Sequence, residues 1–374
     1  QAMYSNLWGA MGTTVFAFSD ILGDHRIYVG TEMVMNLENS DYFVQYSYLK
    51  PRNDLNVGIF HTSNIFGSQW NFLRLRYLSM DLSVSRPISR FQRFGFGLTN
   101  HFVNSREYVL VAYNQYSLAF DESLRLLSYS LSWTYDNSQW GFTSPSDGWR
   151  TNALFTQSLD LFGYPLDFKT VLFDARRYFR VGRLYSFAFR AMGGFSLGAD
   201  PQRFFLGGTQ NWLFGTGYTD GKRDPARWND DEDADIWDSE NSNYLKDLYF
   251  SIFVLPIRGA RLVEKNGTKV FLTNYEFRFP FVNYLALGFP LRIILGNIQG
   301  VLFIDAGAAW DDNFQFRSTD PVTGLTDFDD FVATYGAGLR LNIGYTIIRF
   351  DAAKDYTMHG SSDWQYYISL GTDF

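Results

Sequence analysis

The sequence predicts an all-β protein that crosses a membrane as an antiparallel β-barrel, and three observations support this fold class. Aromatic residues make up 19% of the 374 residues, although the mean hydropathy is slightly negative at −0.17. No uninterrupted apolar run reaches the ~18–20 residues that a transmembrane helix needs. Apolar and polar residues instead alternate with period two along most of the chain, as in a strand with one apolar and one polar face.

The alternation is clearest between residues 127 and 135, where Leu131 and Trp133 alternate with Ser130 and Ser132. The same pattern recurs at 271–279, 335–342 and 364–374. Charged residues repeatedly occupy the polar face, where the packed core of a soluble protein would not tolerate them unpaired. A polar barrel lumen would accept them, while the apolar and aromatic face meets lipid.

Sixteen segments fit such strands, and an even number is typical of single-chain bacterial barrels. They are residues 8–18, 25–36, 41–50, 54–62, 70–86, 88–102, 106–119, 123–136, 148–160, 165–178, 183–196, 268–280, 297–311, 331–343, 345–355 and 362–374. No segment combines a helix cap with a 3.6-residue period, and no linker separates a second domain. We therefore expect one barrel domain over residues 1–374.

The composition argues against several functions. The net charge of −7 leaves no basic surface for nucleic acid, and the absence of cysteine excludes disulfides, cysteine-ligated zinc and thiol nucleophiles. The four histidines are scattered, and His101 near Ser105 is the nearest approach to a catalytic cluster. We therefore predict no enzyme activity and no cofactor.

One connection, residues 197–267, is far longer than the others at about 70 residues and is predicted to be the sixth extracellular loop. It carries an acidic run in which Asp231, Asp233 and Asp235 have the spacing of a calcium loop. Ile236 stands where such a loop needs glycine, and no glutamate follows at the twelfth position. We favour a solvated acidic loop near lipopolysaccharide-bound divalent ions, with a calcium site as the alternative.

Five features stand in a fixed order along the second half of the chain: Leu255–Ala260, Asn274–Pro280, Val301–Gly307, Arg349–Ala353 and the terminal Phe374. In this order they resemble the BamA-like superfamily of outer-membrane assembly and secretion barrels. Two further segments, Phe18–His25 and Phe204–Gly208, are most similar to the branch found behind TolB-like β-propellers. The resemblance implies an integral protein of the Gram-negative outer membrane.

The resemblance also implies that the long loop folds into the lumen and is held there by an ion pair, here called the latch. Arg258, followed by Gly259, corresponds to the loop arginine of the family, and Asp305 corresponds to the carboxylate on the barrel wall. Ala260 departs from the aromatic residue that usually follows the glycine. Further lumen charges are expected at Glu276, Arg278, Arg340, Arg349 and Asp351. The alternative is that Arg258 is a solvated loop residue and Asp305 faces lumen water.

The latch has a physical rationale of its own. A sixteen-strand barrel is wide enough to leave a channel unless something fills it. An arginine–carboxylate bond is also stronger in a confined lumen than on an open surface.

A barrel closes where its first and last strands pair, and we call this place the seam. The predicted first strand contains Gly9 and Gly12, which weaken a strand, whereas the last strand contains Ser369 and ends at Phe374. A weak seam can open laterally and expose backbone groups to an incoming strand. The alternative is that the two glycines only relieve crowding in the barrel wall.

The family resemblance implies a barrel that inserts polypeptides into the outer membrane, or translocates them across it, through the seam. A plugged barrel that anchors a larger complex is the second interpretation, and a passive porin is the third. The expected partners are membrane lipid, lipopolysaccharide, and polypeptide clients or other subunits. The chain starts at Gln1 without periplasmic domains, as expected of a processed or trimmed product.

Overall fold

The fold is given by a computed structural model and is all-β over the residues it describes. These are residues 2–5, 9–33, 41–50, 52–67, 71–112, 115–161, 166–182, 184–215, 251–254, 256–261, 263–287, 293–319, 324–344 and 346–372. Within these ranges every regular element is a β-strand. No helix among them is long and apolar enough to span a bilayer.

The described residues form 24 strands, and 19 of these belong to one sheet. Their bounds are β1 Ala2–Ser5, β2 Gly9–Ser19, β3 His25–Met33, β4 Asp41–Tyr48, β5 Asp54–Gly67, β6 Asn71–Pro87, β7 Gln92–Ala112, β8 Gln115–Asp136, β9 Gln139–Trp140, β10 Pro145–Ser158, β11 Lys169–Val181, β12 Tyr185–Leu197, β13 Phe204–Leu206, β14 Trp212–Gly215, β15 Ile252–Val254, β16 Lys265–Gly267, β17 Lys269–Leu287, β18 Ile293–Trp310, β19 Arg317–Thr319, β20 Thr326–Phe328, β21 Phe331–Asn342, β22 Ile347–Thr357, β23 Gly360–Ser361 and β24 Gln365–Leu370. Fifteen of these have six residues or more.

The division of residues 88–136 into three strands is wrong, because the structure has two, β7 and β8. The predicted break within the first of them falls at residues 103–105, where Asn104 and Ser105 are polar. In the structure Asn104 pairs with Arg76 and Ser105 with Leu75, so the ladder with β6 continues through this stretch. Backbone hydrogen bonds sustain a ladder whatever the side chains, and polarity alone was therefore a poor sign of a turn.

The chain forms two compact units, and the first comprises residues 1–133, 154–169 and 198–200. In it β1 to β7 pair in sequence order as an antiparallel meander. The strand predicted as the first of the chain is in fact preceded by β1, which pairs Ser5 with Gly9 and Ala2 with Gly12. Gly9 and Gly12 therefore do not lie on a free strand edge. The sequence pattern did not predict β1, because four residues are too few to show an alternation.

The second unit comprises residues 134–153, 170–197 and 201–374. Its long strands β12, β17, β18, β21, β22 and β24 form consecutive antiparallel ladders. Exposure alternates along them as the sequence pattern predicts. In β17, for example, Phe271 and Tyr275 are exposed while Leu272 and Glu276 are buried. One face of these strands is thus apolar and exposed, and the other carries buried polar and charged groups.

A small three-stranded sheet, made by β13, β15 and β16, packs on this second unit. Phe204 and Leu206 of β13 join a buried cluster with Ile257 and Ala260, and this cluster includes Val270 and Leu272 of β17. We call residues 204–206 and 257–260 the loop core. Both of its segments come from the predicted sixth loop, so part of that loop is buried against the polar face of the strands.

Candidate functional site

The site is built first by strand register. The ladders place Arg190 of β12, Asn274 of β17, Asp305 of β18 and Thr334 of β21 in one row across the sheet. Residues opposite each other in adjacent strands share a face, and residues two apart along a strand share it too. Glu276 therefore lies on the same face as Asp305. This face is the buried one, and its acidic groups are available to a cation from the loop core.

The loop core approaches this face closely. Within the loop, Ile257 forms an isolated β-bridge with Gly208. From the strand face, the side-chain amide of Asn274 donates to the carbonyl of Pro256 at 2.9 Å. At Gly307 a Cβ atom would lie 3.0 Å from side-chain atoms of both Leu206 and Ile257. A glycine at that wall position therefore makes room for the apolar part of the loop core.

Arg258 is the centre of the site and is only 1% exposed. Its Nε and Nη2 donate to the two carboxylate oxygens of Asp305, both at 2.7 Å, and its backbone N–H donates to the same carboxylate at 3.1 Å. Its Nη1 donates to Glu276 at 2.5 Å. The guanidinium carbon lies 3.8 Å from the centroid of the Phe303 ring. The arginine is thus held by a bidentate pair, a second carboxylate and an aromatic face.

The network continues along β17. Arg278 donates from Nε to the second oxygen of Glu276 at 2.8 Å and from Nη1 to the carbonyl of Pro145 at 2.7 Å. We call Arg258, Glu276, Arg278 and Asp305 the buried charge cluster. Its two cations and two anions cancel formally, and each charge is paired by hydrogen bonds, which is the condition under which buried ions are tolerated.

The structure brings Arg258, Asp305, Glu276 and Arg278 together. The other charges predicted for the lumen bind groups outside this cluster. Arg340 donates to Asp351 at 2.8 Å, and both are buried. Arg349 donates to the carbonyl of Gln210 at 2.7 Å. That contact ties the stretch between β13 and β14 to β22.

The remaining predicted residues are placed as follows. Ser369 is buried in β24 and stands opposite Arg349 of β22. Gly9 and Gly12 lie in the second strand of the chain, as described above. Phe374 and the three aspartates proposed as a calcium site, Asp231, Asp233 and Asp235, lie outside the described residues.

Sequence reasoning missed two members of the site and several short strands, among them β14. Asn274 donates to Asp305 at 2.8 Å, and its position two residues before Glu276 was a usable signal. The Phe303 ring lies against the Arg258 guanidinium, and its position two residues before Asp305 was a signal of the same kind. Strand β14 had no signal in its own four residues, because its pairing with β24 is a long-range contact.

Gly259 gives a direct test of how tightly the loop core fits. Its φ is +96°, and an added Cβ would lie 2.8 Å from the Cβ of Ala353. We expect Gly259→Ala to lower the free energy of unfolding by about 2–4 kcal/mol, from backbone strain and overpacking together. Urea unfolding in lipid vesicles measures this change.

Gly344→Ala is the matched control, because Gly344 has a φ of +99° but no atom within 4 Å of an added Cβ. It carries the strain alone, at roughly 1 kcal/mol. Equal losses for the two variants would contradict a tight fit at Gly259.

A large antiparallel sheet with an exposed aromatic face and a buried charged face defines a class, the outer-membrane barrel protein. The family model described as the Omp85 superfamily domain matches residues 35–374. The chain therefore belongs to the Omp85 superfamily and is an integral β-barrel protein of the Gram-negative outer membrane. The resemblance inferred from the sequence motifs is confirmed. No curated protein matches the sequence significantly.

Solved structures share the fold at low sequence identity. BamA from Haemophilus ducreyi lacking POTRA domains 1–3 matches with a TM-score of 0.57 and 12% identity, over 99% of this chain and 68% of that one. CdiB from Acinetobacter baumannii gives 0.52 and 11%, over 96% of this chain and 56% of that one. CdiB from Escherichia coli gives 0.50 and 12%, over 98% and 60%. The chain thus spans between about half and two thirds of these proteins.

Proposed function

We propose that this chain inserts polypeptides into the outer membrane, or translocates them across it, through a lateral seam, while the loop core closes its lumen. The observation that carries the proposal is the burial of Arg258 against Asp305 and Glu276. Membership of the Omp85 superfamily supports a role in assembly or secretion. The partners we propose are outer-membrane lipid, lipopolysaccharide and unfolded polypeptide clients. We propose no catalytic residue, cofactor or metal.

The wall of this barrel is proposed to close with sixteen strands as one domain over residues 1–374. The fifteen long strands support this count once β1 is added before β2. The seam is then proposed between β1 and β24, on the edge of β24 that β14 covers in this structure. The short first strand supports a weak seam, since four residues form few ladder hydrogen bonds.

A plugged barrel that anchors a complex is the second candidate. The observation that favours it is the complete packing of the loop core. Its apolar residues are buried, and the charges of the buried charge cluster are paired. A porin is the third candidate and requires an open lumen. Single-channel conductance separates the porin from the other two, because a lumen closed by the loop core conducts poorly.

The experiment that tests the proposal uses the absence of native cysteine. We expect purified protein in liposomes to accelerate the folding of a second outer-membrane barrel several-fold over empty liposomes. A panel of variants, each with one cysteine in β1 and one in β24, is then compared oxidised and reduced. Acceleration that is lost on oxidation and regained on reduction supports the lateral seam.

Two controls accompany this assay. Each single-cysteine parent is oxidised in parallel, which excludes an effect of the oxidant itself. Absence of acceleration by the unmodified protein, with the protein folded and inserted, would reject insertion by this chain and favour the anchor.

A further inference from the structure

Strand β24 has a neighbour on each side. On one side it pairs with β22 from Ala353↔Gln365 to Ile348↔Leu370. On the other side it pairs with β14, through Trp212↔Ser369, Phe214↔Ile368 and Gly215↔Tyr367. The backbone N–H of Leu370 also donates to the carbonyl of Asn211 at 3.0 Å. The outer edge of the last strand is therefore covered by a segment of the long loop.

The chain reaches this position along a defined path. Gly207 and Gly208 have φ values of +120° and +88°, and Asn211 has a φ of +53°, so the backbone turns sharply between β13 and β14. The contact from Arg349 to the carbonyl of Gln210 fixes the middle of the turn. Because this turn lies between them, β14 can leave β24 while Phe204 and Leu206 stay buried in the loop core.

β14 pairs with the edge of β24 over a short stretch, and its large side chains are exposed. It has four residues against the six of β24, and its register shifts between Trp212 and Phe214. All three of its large side chains are exposed, Phe214 by 68%. Side-chain packing therefore contributes little, and backbone hydrogen bonds hold the strand. A longer strand could form more of these bonds along the same edge.

We propose that β14 is an exchangeable cover strand, which occupies the edge of β24 at rest and is displaced by an incoming strand of a client polypeptide. This inference rests on the proposed function. Covering an exposed edge prevents unwanted pairing between chains, and a weak cover yields to a stronger partner. The fitting partner is an unfolded outer-membrane polypeptide in extended form. By analogy with β14, it presents an aromatic residue opposite Ile368 and a small residue opposite Tyr367.

The first test locks the cover strand in place with the double variant Phe214→Cys/Ile368→Cys. The matched control is Phe350→Cys/Ile368→Cys, which joins the same residue of β24 to its partner on β22 instead. We expect the first disulfide to abolish the acceleration of barrel folding, with recovery on reduction, and the control disulfide to leave it unchanged. Full acceleration with the β14 disulfide formed would overturn the cover strand but not the proposed function.

The second test does not depend on insertion activity. A peptide with the sequence of residues 209–215, carrying cysteine in place of Phe214, is offered to the single variant Ile368→Cys, and the mixed disulfide is quantified. Adding Phe214→Pro to the protein weakens β14 by removing a backbone donor. We expect it to raise the rate of mixed-disulfide formation roughly tenfold. A scrambled peptide is the control.

The two assays separate the two ideas. If the unmodified protein does not accelerate barrel folding, the proposed function fails. The peptide-exchange assay alone then decides whether β14 is an exchangeable cover strand. A faster reaction in the Phe214→Pro background, restricted to the matching peptide, supports exchange. Equal rates with and without Phe214→Pro overturn it.

Discussion

Replacing Arg258 by alanine is expected to lower the free energy of unfolding by roughly 3–5 kcal/mol, the usual effect of removing one partner from a buried ion pair. The arginine donates to both Asp305 and Glu276, and its loss leaves two carboxylates with one cation, Arg278, in the buried charge cluster. The loop core loses its only charged anchor among the described residues 257–260. We therefore also expect single-channel conductance to rise.

The measurements are urea unfolding in lipid vesicles and conductance in planar bilayers. Arg261→Ala is the matched control, since Arg261 is in the same loop but its side chain is 47% exposed. Its Nε lies 3.7 Å from Oε2 of Glu264, which is a long distance for an ion pair. Such an exposed pair contributes less than about 1 kcal/mol. A loss for Arg258→Ala no larger than for Arg261→Ala would contradict the role of the buried charge cluster.

Arg258→Lys distinguishes geometry from charge. A lysine keeps the positive charge but cannot reproduce the two parallel bonds to Asp305, the bond to Glu276 and the stacking on Phe303. We expect it to recover only part of the lost stability. Full recovery would mean that charge alone holds the loop core.

Replacing Phe204 by alanine is the second change with a large expected effect, roughly 3–5 kcal/mol of stability. Phe204 is 0% exposed in β13 and packs in the cluster with Leu206, Ile257 and Leu272. The cavity left by its ring would loosen the apolar half of the loop core. Conductance should therefore rise in this variant as well, although no charge has changed.

Phe314→Ala is the control for this prediction. Its side chain is 47% exposed, and its ring contacts are those with Trp310 and Phe316 among the residues described by the structure. A loss below about 1 kcal/mol and an unchanged conductance are expected. An unchanged conductance for Phe204→Ala, despite the stability loss, would mean that the loop core does not close the lumen.

Much of the fold was predictable because strand side chains alternate. Exposed Tyr275 and buried Glu276 in β17 illustrate a pattern that two faces of different chemistry impose on the sequence itself. Strand boundaries were less predictable, as the uninterrupted ladder through Asn104 and Ser105 of β7 demonstrates. Polar residues are compatible with both a turn and the polar face of a strand, so composition could not distinguish the two.

The site was predictable in part. The order of the motifs along the chain indicated Arg258 and Asp305 as partners, and the structure places their side chains in contact. The spacing of two residues put Glu276 and Arg278 on one face. The sequence put Phe303 on the same face as Asp305, but its contact with Arg258 could not be predicted, because no local pattern states where the loop core lies on that face.

By itself, the sequence determined the strand chemistry, the absence of thiols, the family and the residues capable of forming the buried charge cluster, because these depend on local pattern and residue type. Only the tertiary structure decided that β1 precedes the predicted first strand, that Arg349 holds the carbonyl of Gln210, and that β14 covers the edge of β24. The last two of these features join residues far apart in the sequence, up to 157 positions in Trp212↔Ser369. Long-range pairing is set by competition among all available strand edges, and no local pattern encodes its outcome.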